Sequence, residues 1–167
     1  MIKPLFQKIV VAVNGSERSI HAAMYGILLA KQYKCELKAI YVIDTSALKF
    51  LTVNRVFIEE ESQIYEQRLY ESGKRYLSYL EGLAKEKGIK IETELKKGAV
   101  WAELIKSAED FGADLILVGG KEHPDDTARN SVRHDKISPT NAEIIGSATC
   151  SVLVVREPDI EKLFRIA

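Results

Sequence analysis

Short apolar runs alternate with longer amphipathic stretches along this chain. The run Lys8–Val13 is β-branched and continuous, which is typical of a strand buried on both faces of a parallel sheet. Over residues 16–33 apolar positions recur at helical spacing, and Ser16 is placed to cap that helix. The chain therefore begins with a strand, a turn at Asn14-Gly15 and a helix.

The same alternation continues to the C-terminus. Further strands are predicted at 37–43, 89–95, 115–118 and 151–155, and further helices at 59–87, 101–111 and 139–146. The strand at 89–95 alternates apolar and polar residues, as an edge strand does. A loop is predicted from Asp44 to Val56, and Ile160, Leu163 and Phe164 favour one or two helical turns in the tail.

Alternating strands and helices imply right-handed parallel crossovers and a three-layer α/β/α sandwich. In such sheets ligands bind at the carboxyl ends of the strands, near a switch in strand order. We therefore expect a ligand site close to Asn14, Val42 and Gly119.

Composition narrows the classes of function. The 167 residues are 46% hydrophobic and suit a single domain over 1–167, with an enlarged loop at 120–138 and a tail at 156–167. Lys plus Arg and Asp plus Glu number 24 each, so no bulk charge attracts nucleic acid or an acidic membrane. Two cysteines give no disulfide framework, and neither a signal-peptide region nor a spanning apolar run is evident. We expect a cytoplasmic protein with no nucleic-acid or membrane partner.

Three segments resemble the universal stress protein family. The opening reads Lys-Ile-Val-Val-Ala-Val-Asn-Gly-Ser-Glu, the second segment is 98–105 followed by 112–119, and the third is 148–155. The resemblance runs from Lys8 to Val155 and implies a Rossmann-like, adenine-nucleotide-hydrolase-like fold with a parallel sheet of order 3-2-1-4-5. It also implies a homodimer that forms through the last strand.

The family resemblance also bears on ATP binding. Members of the family that bind ATP carry a loop with the pattern Gly-x-x-Gly, then nine residues of any type, then Gly-Ser or Gly-Thr. Gly119 fits the first glycine, but Glu122 stands at the second and adds a negative charge. Ser138-Pro139 stands for Gly-Ser after a longer gap, and proline has no N–H to donate. Asn14 replaces the family's Asp and is a poorer cation ligand. We predict that the usual binding of ATP with magnesium is lost or altered.

The adenine side of the expected site is less changed, since small apolar residues remain at the strand ends. If nucleotide binding is retained, the candidate residues are Ala12, Val13, Asn14, Val42, Gly119, Gly120, Ser138 and Thr140. The enlarged loop mixes basic and acidic residues, so we interpret it as a solvated surface loop in preference to a rebuilt phosphate clamp.

Three functions remain open at this point. The first is a non-catalytic stress-response or signalling module that acts by protein association, and the second is an adenine-nucleotide-binding switch with a remodelled loop. The third is a nucleotide hydrolase that uses His123 or His134. We assign no catalytic and no metal-binding residue, because nucleophile and metal motifs are absent and His21 is interpreted as a helix-face residue.

The last strand carries the association hypothesis. It is short and apolar, and unpaired backbone groups at a sheet edge invite another strand. The predicted dimer edge consists of Val152, Leu153, Val154 and Val155. The alternative is that the C-terminal segment 160–166 folds over this edge and blocks it.

Overall fold

The computed structural model describes residues 2–55, 58–120 and 137–167. The elements follow in the order β1 Lys8–Val13, α1 Glu17–Tyr33, β2 Glu36–Asp44, α2 Thr45–Val53, α3 Glu59–Glu86, β3 Ile91–Gly98, α4 Val100–Phe111, β4 Leu115–Gly119, α5 Pro139–Ser147, β5 Ser151–Val155 and α6 Ile160–Ile166. Within these ranges, no helix is both long and apolar enough to cross a membrane.

The five strands form one parallel sheet in the order β3-β2-β1-β4-β5, which confirms the predicted fold. The central strand β1 pairs with β2 on one side and β4 on the other, so that Ile9 lies between Leu37 and Leu115. β3 and β5 form the two edges, as expected from the polar alternation of the first and from the predicted strand order.

Helices cover both faces of the sheet. Ile9, Val11 and Val13 point to the face covered by α1, α3 and α6, whereas Val10 points to the face covered by α4 and α5. Because both faces of β1 are buried, every position in its centre is apolar, and Ile9, Val10 and Val11 have no exposed surface.

Two serine caps set where helices begin beside the carboxyl ends of the strands. Ser16 Oγ accepts a hydrogen bond from the Ser19 N–H at 3.2 Å at the start of α1. Ser138 Oγ accepts one from the Asn141 N–H at 3.1 Å at the start of α5, and Pro139 occupies the first helical position. These caps satisfy N–H groups that have no partner inside the helix.

The predicted loop after β2 is wrong over Thr45–Val53, which forms the helix α2. The Asp44 carboxylate caps this helix by accepting a hydrogen bond from the Ala47 N–H at 3.0 Å. Only Leu48 is buried, while the apolar Phe50 and Val53 are exposed, so the hydrophobic residues of this segment do not mark one buried helical face. The third strand is also displaced from its predicted bounds and covers Ile91–Gly98.

The predicted helical turns of the tail form α6. Its buried residues Ile160 and Phe164 join the core that α1 and α3 build. Lys31 of α1 donates to the Ala167 carbonyl oxygen at 2.7 Å, and Lys87 lies 4.8 Å from the centre of the Phe164 ring. The tail is therefore held on a helical face of the domain.

The predictions for the enlarged loop fall mostly outside the described residues. Residues 121–136, which include Glu122, His123 and His134, are not among them. The interpretation of this loop as solvated surface, and the hydrolase hypothesis that depends on its histidines, stay predictions.

Candidate functional site

A cavity of about 440 Å³ opens at the carboxyl ends of β1, β2 and β4. β1 and β4 are neighbours in the sheet although they are not consecutive in the chain, so the cavity lies at the switch in strand order. Its lining includes all eight candidate residues: Ala12, Val13, Asn14, Val42, Gly119, Gly120, Ser138 and Thr140. The structure thus brings the predicted set together, while the binding of a nucleotide there stays a prediction.

The cavity has two chemically different walls. The apolar wall consists of Ile40, Val42, Val100, Leu104, Val118 and Ile144. The polar wall consists of the turn after β1 and the first turns of α1 and α5, with Asn14, Ser16, Arg18, Ser19, Ser138, Thr140 and Asn141. Such a lining suits a ligand with one flat apolar part and one polar or anionic part.

The turn after β1 is held by its own side chains. The Ser16 N–H donates to Asn14 Oδ1 at 3.0 Å, and the Asn14 N–H donates to Ser19 Oγ at 3.3 Å. The Ser19 hydroxyl in turn donates to the Ser16 carbonyl oxygen at 2.9 Å. Asn14 Oδ1 thus holds the turn through one hydrogen bond and keeps a second lone pair for another partner.

Gly119 is required by packing. A Cβ atom at this position would lie 2.6 Å from the Arg18 carbonyl oxygen and 2.9 Å from the Ser19 nitrogen. The end of β4 therefore approaches the backbone of α1 more closely than any side chain allows. The sequence suggested only a phosphate-binding reason for this glycine, and the structure supplies a second reason that needs no ligand.

The Gly120 N–H group forms a hydrogen bond within the fold. That N–H donates to the Val155 carbonyl oxygen at 3.2 Å, which joins the end of β4 to the end of β5. A phosphate in the cavity would therefore lose one of the backbone donors that a glycine-rich loop normally offers.

Asn141 is a lining residue that the sequence did not reveal. Its side-chain Nδ2 donates to the Gly119 carbonyl oxygen at 2.8 Å, while its N–H bonds to the Ser138 cap. It fixes the first turn of α5 against the end of β4. The sequence feature that could have indicated Asn141 is its position three residues after Ser138, the predicted helix cap.

Arg18 is a second residue that the sequence did not reveal, and it is the one charged side chain among the described residues that line the cavity. It lies in the first turn of α1, where the helix dipole favours negative charge. Within residues 2–55, 58–120 and 137–167, no ion pair is formed by Arg18. An anionic group in the cavity would supply its countercharge.

The two cysteines and His21 lie away from the cavity lining. Burial raises the pKa of the Cys35 thiol, with a further contribution from Asp114, and burial also raises the pKa of Cys150. A raised pKa disfavours the thiolate that a nucleophile needs. His21 Nε2 lies 3.1 Å from Glu161 Oε1 at the contact between α1 and α6.

Comparison with known proteins identifies relatives over nearly the whole chain. The model of the universal stress protein family matches residues 5–156. The universal stress protein MJ0531 of Methanocaldococcus jannaschii is 32% identical over 157 residues, which are 94% of this chain and 86% of that protein.

Solved structures share the fold at lower identity. The universal stress protein UspA from Lactobacillus plantarum matches with a TM-score of 0.72 at 20% identity, over 90% of this chain and 98% of that one. A universal stress protein from Archaeoglobus fulgidus in complex with dAMP matches with a TM-score of 0.58 at 15% identity, over 92% of this chain and 100% of that one.

Proposed function

The chain belongs to the universal stress protein family, and from that premise we propose that it is a non-catalytic stress-response module whose cavity binds an adenine nucleotide without the family's usual ATP–magnesium mode. The observation that carries this proposal is the pairing of an apolar wall with a polar wall around Arg18 in one cavity. A nucleotide has the same division between base and phosphate.

The apolar wall is the part of the site that suits a base. Ile40 and Val42 of β2 are buried, and Val100 lines the cavity from the start of α4. The volume of about 440 Å³ falls within the range of roughly 300–1,000 Å³ that is usual for small-molecule sites. The Archaeoglobus fulgidus relative in complex with dAMP supports this class of ligand.

The polar wall argues for fewer phosphates than ATP carries. The Gly120 N–H is engaged by Val155, Pro139 has no N–H, and Asn14 Oδ1 is engaged by Ser16. The first two features remove N–H donors that a triphosphate would use, and an amide oxygen is a weaker ligand for magnesium than a carboxylate. A single phosphate needs fewer hydrogen-bond donors than a triphosphate, and the Arg18 guanidinium can form a bidentate pair with it.

Calorimetric titration with adenosine, AMP and ATP, each with and without magnesium, tests the proposal. We expect AMP to bind at least as tightly as ATP, with no gain from magnesium, and no phosphate release on incubation with ATP. Arg18→Gln should weaken AMP at least fivefold but leave adenosine unchanged, because only the phosphate contacts the guanidinium. Arg165→Gln, which removes an exposed charge on α6, is the matched control. If no nucleotide binds, the proposal of an adenine-nucleotide ligand is wrong. If ATP binds tightly only with magnesium, the chain uses the family's usual binding mode and the proposed difference is wrong.

We further propose that the module assembles as a homodimer through β5. β5 is a sheet edge that pairs with β4 on one side, and Val152, Leu153 and Val154 are partly exposed there. The tail, which was the alternative occupant of this edge, packs on α1 through α6. An edge strand with apolar side chains favours pairing with a second copy.

Sedimentation velocity distinguishes the dimer from a monomer. The intact chain should sediment as a dimer, and Val154→Lys should shift it to a monomer because a charge would be buried at the interface. Val53→Lys, on the exposed face of α2, adds the same charge elsewhere and should leave the dimer intact. A monomeric intact chain rejects the dimer, and a dimer that survives Val154→Lys places the interface elsewhere.

A further inference from the structure

We propose that Glu17, His21 and Glu161 form a binding site for a divalent transition-metal ion, with zinc as the best chemical fit, which ties the C-terminal helix α6 to α1. One ligand atom from each of these residues lies within 4.8 Å of the other two. None of the three lines the cavity described above.

The spacing of the ligand atoms suits a small tetrahedral ion. His21 Nε2 lies 3.1 Å from Glu161 Oε1 and 3.9 Å from Glu17 Oε1. Zinc bonds of about 2.0–2.2 Å place neighbouring ligands of a tetrahedron about 3.3–3.6 Å apart. These two separations bracket that value, and the third, between the two glutamate oxygens, is within 4.8 Å, so rotation of the exposed carboxylates completes the geometry.

Local structure orients the donors. Glu17 and His21 stand four residues apart on α1, which places them on one face of the helix. Glu161 approaches from the first turn of α6, and Arg165 Nη2 lies 3.9 Å from its other oxygen, Oε2. Glu161 Oε1 is thereby left facing the imidazole.

Charge and exposure also favour a bound cation. The two carboxylates lie close together and repel each other, and a divalent ion bound by them and the imidazole balances both charges. The His21 side chain is only 15% exposed, so its ring is fixed by packing, while the exposed carboxylates give the ion a route from solvent. A fourth ligand position remains for water.

Such an ion would join two elements that are far apart in sequence. α6 is otherwise held by its buried Ile160 and Phe164 and by the contact of Lys31 with the Ala167 carbonyl oxygen. Because Glu17 lies between Ser16 and Arg18, the ion would also restrain the turn of α1 that lines the cavity.

The test uses the full chain stripped of metal with a chelator and then titrated with zinc. We expect calorimetry to give one zinc per chain and hydrogen exchange of the amides at 160–167 to slow at least fivefold. Glu161→Gln and His21→Gln should each weaken zinc at least tenfold and abolish the slowing. Glu143→Gln, which neutralises an exposed carboxylate on α5, is the matched control.

A measurement of stability and one further variant keep the outcome clear. Gln at position 21 can still hydrogen-bond to Glu161, so the metal-free His21→Gln chain should unfold at nearly the wild-type temperature. Replacement of both His123 and His134 by Asn should leave zinc binding intact. The proposal is overturned if zinc does not bind, if binding survives both His21→Gln and Glu161→Gln, or if it is lost with His123 and His134.

Discussion

A half-buried carboxylate beside a buried lysine makes the stability of this fold dependent on acid pH. Glu94 of β3 contacts Lys38 Nζ, accepts a hydrogen bond from the Ser107 hydroxyl at 2.6 Å, and lies 3.0 Å from Lys96 Nζ. Burial alone would raise the pKa of Glu94, but the hydrogen bonds from Lys38, Ser107 and Lys96 outweigh it and lower the pKa to about 2.

The direction of this pKa shift sets the pH window. Because the folded pKa lies below the ordinary value of 4.5, ionised Glu94 stabilises the fold fully above about pH 5, and that contribution is lost as the pH falls toward 2. At 1.36 kcal/mol per pKa unit the full shift corresponds to about 3 kcal/mol. Since 25% of the side chain is exposed and water screens the pair, we expect about 1–2 kcal/mol.

The perturbation is Glu94→Gln, and Glu92→Gln is its matched control. Both carboxylates face the Lys38 side chain, which is 11% exposed, but Glu92 lies 3.5 Å away and is itself 61% exposed. Glu94→Gln should lower the free energy of unfolding at pH 7 by about 1–3 kcal/mol, because it removes the closer countercharge of a buried ammonium. Glu92→Gln should cost less than about 1 kcal/mol.

The assay is urea unfolding of the three proteins at a series of pH values from 7 to 2.5. The gap between wild type and Glu94→Gln should shrink steadily below pH 5, since there the unfolded wild-type chain gains a proton on Glu94 that the folded chain resists, and the variant has no such proton to gain. Equal losses in the two variants at pH 7, or a gap that stays constant to pH 2.5, would refute the assigned role of Glu94.

Two further predictions concern packing and thiol reactivity. Gly119→Ala should lower the unfolding free energy by about 1–3 kcal/mol, because its Cβ would overlap the α1 backbone. Gly82→Ala is the control, since its Cβ would meet nothing within 4 Å, and it should raise the unfolding free energy by up to about 1 kcal/mol. Scanning calorimetry compares them, and a Gly119→Ala protein as stable as wild type would contradict the close approach. Cys35 and Cys150 should react with a disulfide reagent at pH 7.5 more slowly than free cysteine, because both pKa values are raised, and equal rates would contradict their burial.

The strands were predictable because their sequence pattern follows directly from burial. β1 is apolar at consecutive positions since helices cover both of its faces, and β3 alternates since it is an edge. The same reasoning placed Asn14, Val42 and Gly119 at one end of the sheet, where they line one cavity. Parallel strands align their carboxyl ends, so chain order alone brings these residues together.

The features that escaped prediction depend on contacts between distant segments. α2 is capped by Asp44 and buries only Leu48, while its apolar Phe50 and Val53 are exposed, so its hydrophobic residues do not report which face packs on the fold. Asn141 acts by reaching the Gly119 carbonyl oxygen, 22 residues away in the chain. Arg18 is a candidate for binding an anion because residues from distant parts of the chain form a cavity around it. No local sequence pattern indicates that arrangement.

The two roles of Gly119 separate the cavity from the phosphate loop. Because a Cβ atom there would overlap the backbone of α1, the fold itself requires this glycine, whatever the cavity binds. The apolar wall likewise belongs to the core and persists for the stability of the sheet. At the polar end, Pro139 begins α5 and the Gly120 N–H joins β4 to β5, so both residues serve the fold without donating an N–H into the cavity. The close approach at Gly119 and the apolar wall therefore persist for reasons of packing alone, so a change at the polar end leaves the apolar part of the cavity in place.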